Sequence, residues 1–288
     1  MERSHQYPRP PFRSQPQSMP GAERDLEPQA DHGEKTYKGS GKLTGRTAII
    51  TGGDSGIGRA VAIAFAREGA DVVVSYLSEE IDANETARWV EDAGRSCVLI
   101  PGDISDERHC INIINQAIAS FGKIDILVNN AAFQVEQDSL QKISTEEWDR
   151  TFKVNIYPMF YLCKASEKYL KEGSTVINTT SVNAYKAPPK LIPYSATKAA
   201  VQNFTVSLAQ LWADKGIRVN CVAPGPVWTP LIPSTLGDEH VKSFGESVPM
   251  KRPGQPAELA PAYVLLASAD SSYMTGSTVQ VTGGYPTI

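Results

Sequence analysis

Thr47-Ala-Ile-Ile-Thr51 runs directly into Gly52-Gly53-Asp54-Ser55-Gly56-Ile57-Gly58, and that into Arg59-Ala-Val-Ala-Ile-Ala-Phe-Ala-Arg67. The first piece is β-branched and apolar, the last repeats apolar residues with helical period, and the glycines between them mark a turn. Strand, glycine turn and helix in that order are the context a dinucleotide fingerprint requires. Gly52 permits a tight turn, Gly56 lets backbone approach a pyrophosphate, and Gly58 lets the helix lie close on the strand. The spacing, Thr-Gly-x-x-x-Gly-x-Gly, differs from the commoner Gly-x-Gly-x-x-Gly, and the plain alternative is a βα turn without a ligand.

Downstream the same alternation recurs. Strands are expected at Asp71–Ser75, Ser96–Ile100, Ile124–Val128, 174–180, Arg218–Val222 and Ser277–Val281, with helices over 81–94, 106–121, 144–170, Tyr194–Lys215 and 257–267. Repeated βα units predict one α/β domain over 44–288, doubly wound on a mostly parallel sheet, with ligands bound at the carboxyl edge of the strands. Upstream, residues 1–43 carry Pro8, Pro10, Pro11, Pro16, Pro20 and Pro28 with almost no aliphatic side chains, which builds no core. They are expected as a disordered or extended tail; the sharper alternative is that Tyr7, Phe12 and the prolines clamp an adjacent subunit. The segment 224–253 is rich in proline and turn residues and is expected as a lid, because Trp228, Leu231, Ile232 and Phe244 are costly to leave in water.

Chemistry gathers at the strand ends. After the second strand stand Tyr76 and Leu77, with no acid before Glu79 to repel a ribose 2′-phosphate; Arg59 is the nearest cation for one, which tilts the cofactor towards NADP(H), with NAD(H) close behind. Asp103 either accepts from an adenine amino group, with Ile104 against the ring, or caps the helix near Asp106. Asn129-Asn130-Ala131-Ala132 suits a turn under a flat cofactor, or Asn129 ties neighbouring strands together. Asn155 sits in an apolar setting where an unsatisfied amide costs about 1–3 kcal/mol. Ser181 follows a strand, and Tyr194-Ser-Ala-Thr-Lys198 puts a phenol and an ammonium on one helix face, where the cation is expected to lower the phenol's proton affinity.

Composition narrows the field. The 288 residues carry a formal charge of -4 and no basic stripe, which argues against a nucleic-acid surface. Cys97, Cys110, Cys163 and Cys221 are spread apart, as are the four histidines, so neither disulfides nor a metal site is expected, and the thiols point to a reducing compartment. No stretch has the length of a membrane span or the pattern of a secretory signal, and a soluble cytoplasmic protein is expected.

Thr51-Gly-Gly-Asp-Ser-Gly-Ile-Gly58, Asn129-Asn-Ala, Asn155, Ser181, Tyr194-x-x-x-Lys198 and Pro224-Gly225 stand in an order and spacing that resembles the classical short-chain dehydrogenase/reductase family over roughly residues 44–284. The Asp54-Ser55 turn, Thr180-Ser-Val-Asn-Ala-Tyr185 and Trp228-Thr-Pro-Leu-Ile232 look closest to the branch of bacterial aldehyde reductases and plant glucose and ribitol dehydrogenase homologues. The resemblance implies a Rossmann domain, a homotetramer with helices 144–170 and 194–215 at its interfaces, and catalysis by four residues. Tyr194 would exchange the proton, Lys198 would tune it and hold the nicotinamide ribose, Ser181 would bond the substrate oxygen, and Asn155 would hold a water leading to solvent. Beside Tyr194 and Lys198, it implies cofactor contacts at Gly52, Asp54, Ser55, Gly56, Ile57, Gly58, Tyr76, Asp103, Ile104, Asn130, Ala131, Pro224, Gly225 and Val227. The implied reaction is reversible reduction of an aldehyde or ketone by NADP(H) or NAD(H). The alternatives are a sugar or polyol dehydrogenase and a nucleotide sensor without turnover. Ala132 and Thr282 depart from the family's usual glycine and aspartate, and Tyr285-Pro-Thr-Ile288 is expected at a subunit contact.

Overall fold

The computed structural model describes residues 7–285, which form one seven-stranded sheet with helices on both faces. The strands are β1 Thr47–Thr51, β2 Asp71–Tyr76, β3 Cys97–Pro101, β4 Ile126–Asn129, β5 Thr175–Thr179, β6 Arg218–Pro224 and β7 Thr278–Val281. The helices are α1 Gly56–Arg67, α2 Glu80–Asp92, α3 Glu107–Phe121, α4 Thr145–Asn155, α5 Tyr157–Ser166, α6 Ile192–Trp212, α7 Leu231–Thr235, α8 Asp238–Lys242 and α9 Pro256–Ala267. The sheet order is β3-β2-β1-β4-β5-β6-β7 and every pairing is parallel, where a mostly parallel sheet was expected. Every residue of β1 is buried, as in strands covered on both sides. Ile49 faces Ile113, Leu162 and Trp212 on one side, and its neighbour Ile50 belongs with Val61, Phe65 and Tyr263 on the other. Strand order reverses between β1 and β4, so the crevice where ligands bind such sheets lies beyond the carboxyl ends of these two strands.

Two elements differ from the sequence expectation. The single helix over 144–170 is two, broken at Ile156 with φ -118° and ψ -51°. Pro158 near the start of α5 has no N–H to donate to Val154, which ends the continuous ladder. The irregular segment 224–253 contains α7 and α8 and packs over a fully buried Trp228.

The proline-rich segment lies along its own chain as a strap. Phe12 stacks on Trp228 with ring centroids 4.2 Å apart and planes at 17°, and its N–H donates to Lys242 O at 2.9 Å. The Trp228 indole donates to Pro28 O at 2.8 Å, and Leu26 and Ala30 join the same buried cluster. Farther along, Tyr37 donates to Glu68 at 2.6 Å and Arg67 donates to the carbonyls of Gly33 and Tyr37. Phe12→Ala is expected to destabilise the protein by about 3 kcal/mol, the usual loss for a buried aromatic ring. A denaturant titration giving under about 0.5 kcal/mol, the size of a surface change, would show that the strap contributes nothing to stability. The subunit contact expected of Tyr285–Ile288 falls largely on residues 286–288, outside the described residues.

Candidate active site

The glycine turn is closed by backbone and by one amide. Gly52 takes φ +62° and donates to Ser75 O at 2.7 Å, and Gly56 takes φ +50°. A Cβ on Gly58 would lie 1.9 Å from Gly52 O, so α1 packs on the turn more closely than any side chain allows. Across the crevice, Asn130 Nδ2 donates to Thr51 O at 3.2 Å and Gly52 O at 3.3 Å, and the Thr51 hydroxyl accepts from the N–H groups of Asn130 and Ala131. Of the two readings of Asn129, the structure has the tie between strands: its amide donates to Asn178 Oδ1 at 2.8 Å.

From this turn a groove of about 400 Å³ runs along the carboxyl edge to the lid. All the site residues named from sequence line it except Gly58 and Asn155. Its volume, the φ-positive glycines and the start of α1 fit a bound dinucleotide.

At the far end the expected four residues come together. Pro193 opens α6 and puts Tyr194 in its first turn, one helical turn before Lys198. The Ser181 hydroxyl stands by the Tyr194 phenol, whose proton affinity it lowers, and accepts from Asn183 N–H at 3.1 Å. Lys198 Nζ donates to Thr179 O at 2.8 Å and lies 5.4 Å from the centre of the Tyr194 ring. Burial pushes the phenol up to about 12, and only Ser181 opposes it; burial pulls Lys198 down to about 8. The expected lowering of the phenol by lysine is therefore not met in this geometry: burial dominates, and the ammonium bonds Thr179 O instead of the phenol oxygen. What remains is a well-protonated phenol, suited to giving a proton.

Asn155 ends α4 with its amide fully engaged. Oδ1 accepts from Phe133 N–H at 2.7 Å, and Nδ2 donates to Phe133 O at 2.9 Å and Thr197 Oγ1 at 3.0 Å. Asn155 and Lys198 both line a second, small cavity of about 10 Å³, close to the space one water needs.

Two cofactor expectations change. Arg59 is buried, with Nε donating to Asp54 O at 2.9 Å and Thr86 Oγ1 at 3.1 Å and Nη2 to Asp82 O at 3.0 Å, so it fastens the turn to α2 and is not free for a phosphate. The cap of α3 is Asp106, which accepts from Arg108 N–H at 2.9 Å, while Asp103 lines the groove and pairs with Arg150 at 3.0 Å. Burial pushes Asp103 up, but its bonds from Ser105 and Arg150 hold the carboxyl below its usual range. Asp54 is buried, and burial pushes its carboxyl up to about 7 against the lowering effect of its bonds to its own N–H and Ser55 and of nearby Arg59.

Sequence reasoning missed Gln134, Arg150, Asn183 and His240, all of which line the groove. Gln134 donates to Thr235 Oγ1 at 2.9 Å and His240 lies 3.4 Å from Glu136, so both tie the lid to the loop after β4. Gln134, Arg150 and His240 stand in no motif, and Asn183 lies inside the Thr180–Tyr185 run, which was read for its resemblance and not for a contact of that side chain. Among the described residues no group of three or more potential ligands is arranged for a metal.

Residues 52–286 match the family model described as Enoyl-(Acyl carrier protein) reductase. The chain belongs to the short-chain dehydrogenase/reductase family. This dehydrogenase/reductase is an oxidoreductase with a nicotinamide cofactor, and its relatives span nearly its whole length. It is 56% identical to the uncharacterized oxidoreductase YhdF of Bacillus subtilis, covering 92% of each chain. To the glucose and ribitol dehydrogenase of Daucus carota it is 47% identical, covering 93% of this chain and 94% of the other. To the chloroplastic NADPH-dependent aldehyde reductase 1 of Arabidopsis thaliana it is 46% identical, covering 93% and 95%. Among solved structures, a short-chain dehydrogenase of Burkholderia cenocepacia in complex with NADP superposes with a TM-score of 0.80 at 29% identity, covering 84% of this chain and 98% of that one. The 3-ketoacyl-(acyl-carrier-protein) reductase of Brucella melitensis complexed with NADH gives 0.77 at 32%, covering 84% and 98%. Ala132, one of the departures from the family pattern, lines the groove. At the other, it is the backbone of Thr282 that lies against Gly225.

Proposed function

We propose that the protein reduces aldehydes or ketones with NADP(H) or NAD(H), with Tyr194 as the proton donor. The observation that carries this is the Ser181–Tyr194–Lys198 cluster at the end of a groove that begins at the glycine turn. A nicotinamide cofactor in that groove supplies the hydride in reduction and takes it up in oxidation. Tyr194 gives its proton to the carbonyl oxygen as charge develops there, and Ser181 donates a hydrogen bond to the same oxygen. Lys198 bonds the nicotinamide ribose and returns a proton to the phenol, and Asn155 walls the water-sized cavity through which that proton is replaced. Gly52, Ser55, Gly56, Ile57 and Gly58 cradle the pyrophosphate, Tyr76, Asp103 and Ile104 hold the adenosine, and Asn130, Ala131, Pro224, Gly225 and Val227 bound the nicotinamide end. Kinetics with NADPH and NADH over a panel of aldehydes, ketones, glucose and ribitol test the assignment; no oxidation of either cofactor by any carbonyl compound defeats it. Sugar or polyol oxidation is the second reading, favoured by the polar Gln134, Asn183 and His240 in the lining and by the Daucus relative.

Cofactor preference should depend on pH through Asp54. Its folded-state affinity, raised to about 7, keeps it neutral below that pH and charged above it. Ionised Asp54 repels a 2′-phosphate, so the ratio of KM for NADPH to KM for NADH is expected to rise several-fold from pH 6.5 to 8.5. Asp54→Asn should flatten that rise; an unaltered slope in the variant assigns it elsewhere.

Exposed Trp148, Tyr157 and Phe160 on α4 and α5, and Val206 and Leu211 on α6, support a homo-oligomer, with a tetramer as the family expectation that light scattering tests. No helix among the described residues is long and apolar enough to cross a membrane. All four cysteines are free, which supports a reducing compartment such as the cytoplasm.

A further inference from the structure

The strap touches the glycine turn itself. Glu23, in a short turn at Glu23–Asp25, is 1% exposed, and its Oε2 accepts from Gly56 N–H, the first of α1, at 2.7 Å. Ser55 precedes the helix and makes no side-chain cap bond, and the N–H of Gly56, which a cap side chain at Ser55 does not serve, is met by an acceptor 33 residues upstream. The carboxylate is held from behind as well: Glu23 N–H donates to Asp82 Oδ2 at 2.8 Å, and Oε2 lies 3.2 Å from His32 Nε2. Beyond these, His32 Nδ1 lies 3.2 Å from Glu34, and Arg59 pairs with Asp82 at 3.6 Å. Just before Glu23, Pro20 and Gly21 line the groove, and a Cβ on Gly21 would come within 2.6 Å of Pro230 O. The strap is thus threaded between the cofactor turn and the lid with no space to spare.

We propose that Glu23 is a positioning residue for dinucleotide binding, fixing through Gly56 N–H the orientation of the turn on which the pyrophosphate rests. The inference depends on the groove being a dinucleotide site, as set out above. Burial by itself would neutralise Glu23, but His32, Arg59 and the Gly56 N–H hold it ionised, while Glu23 and Glu34 favour protonated His32. His32 and Arg59 counter in part the carboxylates of Glu23, Glu34 and Asp82, and Gly56 N–H gains a buried acceptor of fixed position. Glu23 does not line the groove and acts only through Gly56.

The test separates reach from charge in the full-length protein. Glu23→Gln keeps an acceptor of the same length and loses the charge, while Glu23→Asp keeps the charge and withdraws it by one methylene. Calorimetric binding of NADPH and NADH, with steady-state kinetics alongside, is expected to give Glu23→Gln within about threefold of wild type. Glu23→Asp and Glu23→Ala should weaken binding roughly tenfold, the size of one buried hydrogen bond, through KM with kcat nearly unchanged. Should Glu23→Ala fail to fold, the comparison of Gln with Asp carries the test. Unchanged or tighter binding in Glu23→Asp, or a Gln variant as weak as the Asp one, overturns the proposal and leaves the dinucleotide reading standing. A wild-type protein that binds neither nucleotide overturns both.

Discussion

Tyr194→Phe is expected to lower kcat for carbonyl reduction by about 10³, within the 10²–10⁴ range for removing a positioned acid, while leaving NADPH binding within about threefold. The phenol oxygen is the atom on which Ser181 acts, and no other phenol replaces it: Tyr263, the next phenol inward, is fully buried and bonded to Thr179 at 2.8 Å, while Lys198, with one donor on Thr179 O, acts by returning the proton to Tyr194. The ring itself stays packed in the variant, so the cofactor end of the groove is not disturbed. The measurement is single-turnover reduction with saturating NADPH, together with direct titration of the nucleotide. Residual activity within tenfold of wild type would mean that the proton reaches substrate by another route and that the cluster is not the reaction centre. Loss of nucleotide affinity would instead mark the substitution as a structural lesion.

Gly58→Ala should abolish dinucleotide binding, with affinity falling at least 100-fold and the melting temperature dropping. A Cβ there would meet Gly52 O at 1.9 Å, Gly52 C at 2.7 Å and Asn130 Nδ2 at 2.9 Å. Two of those atoms are backbone and cannot swing aside, so α1 must move off the turn, and overpacking of this kind costs about 1–3 kcal/mol or more. The turn and α1 both shape the pyrophosphate site, so binding suffers more than stability. Gly254→Ala is the control: its nearest neighbour, Pro226 O, stands at 3.7 Å, and neither stability nor affinity should change. Nucleotide affinity retained in Gly58→Ala would mean the turn is not where the cofactor binds.

Much of the site could be read along the chain because βα alternation puts strand ends side by side. Gly52, Asn130, Ser181 and Pro224 lie far apart in sequence, yet each ends or follows a strand of one parallel sheet and they share its carboxyl edge. Tyr194 and Lys198 were legible for another reason, the fixed pitch of a helix. Side-chain direction was not. Arg59 stands where it could meet a phosphate, but whether it turns outward depends on Asp82 and Thr86, contributed by α2. The sign of the Tyr194 shift likewise depends on burial, which spacing does not report. The strap was least legible. Phe12, Leu26 and Ala30 have no periodicity and are separated by prolines, and their meaning lies in partners such as Trp228 and Phe244 at the other end of the chain.

That distance has a consequence for how the polypeptide is made. The strap is synthesised before Trp228, Lys242 and Gln255, which receive Phe12, Pro28 and Asp31 and follow them by 200 residues or more. At roughly 5–20 residues per second, Phe12, Pro28 and Asp31 wait on the order of 10–40 s for these partners, although Glu23 and Tyr37 meet Asp82 and Glu68 sooner. The strap's proline-rich, aliphatic-poor make-up suits that interval, since a greasier leader would invite aggregation before its receptor had emerged. The Phe12 end of the strap can therefore close only in chains whose synthesis has passed Lys242 and Gln255.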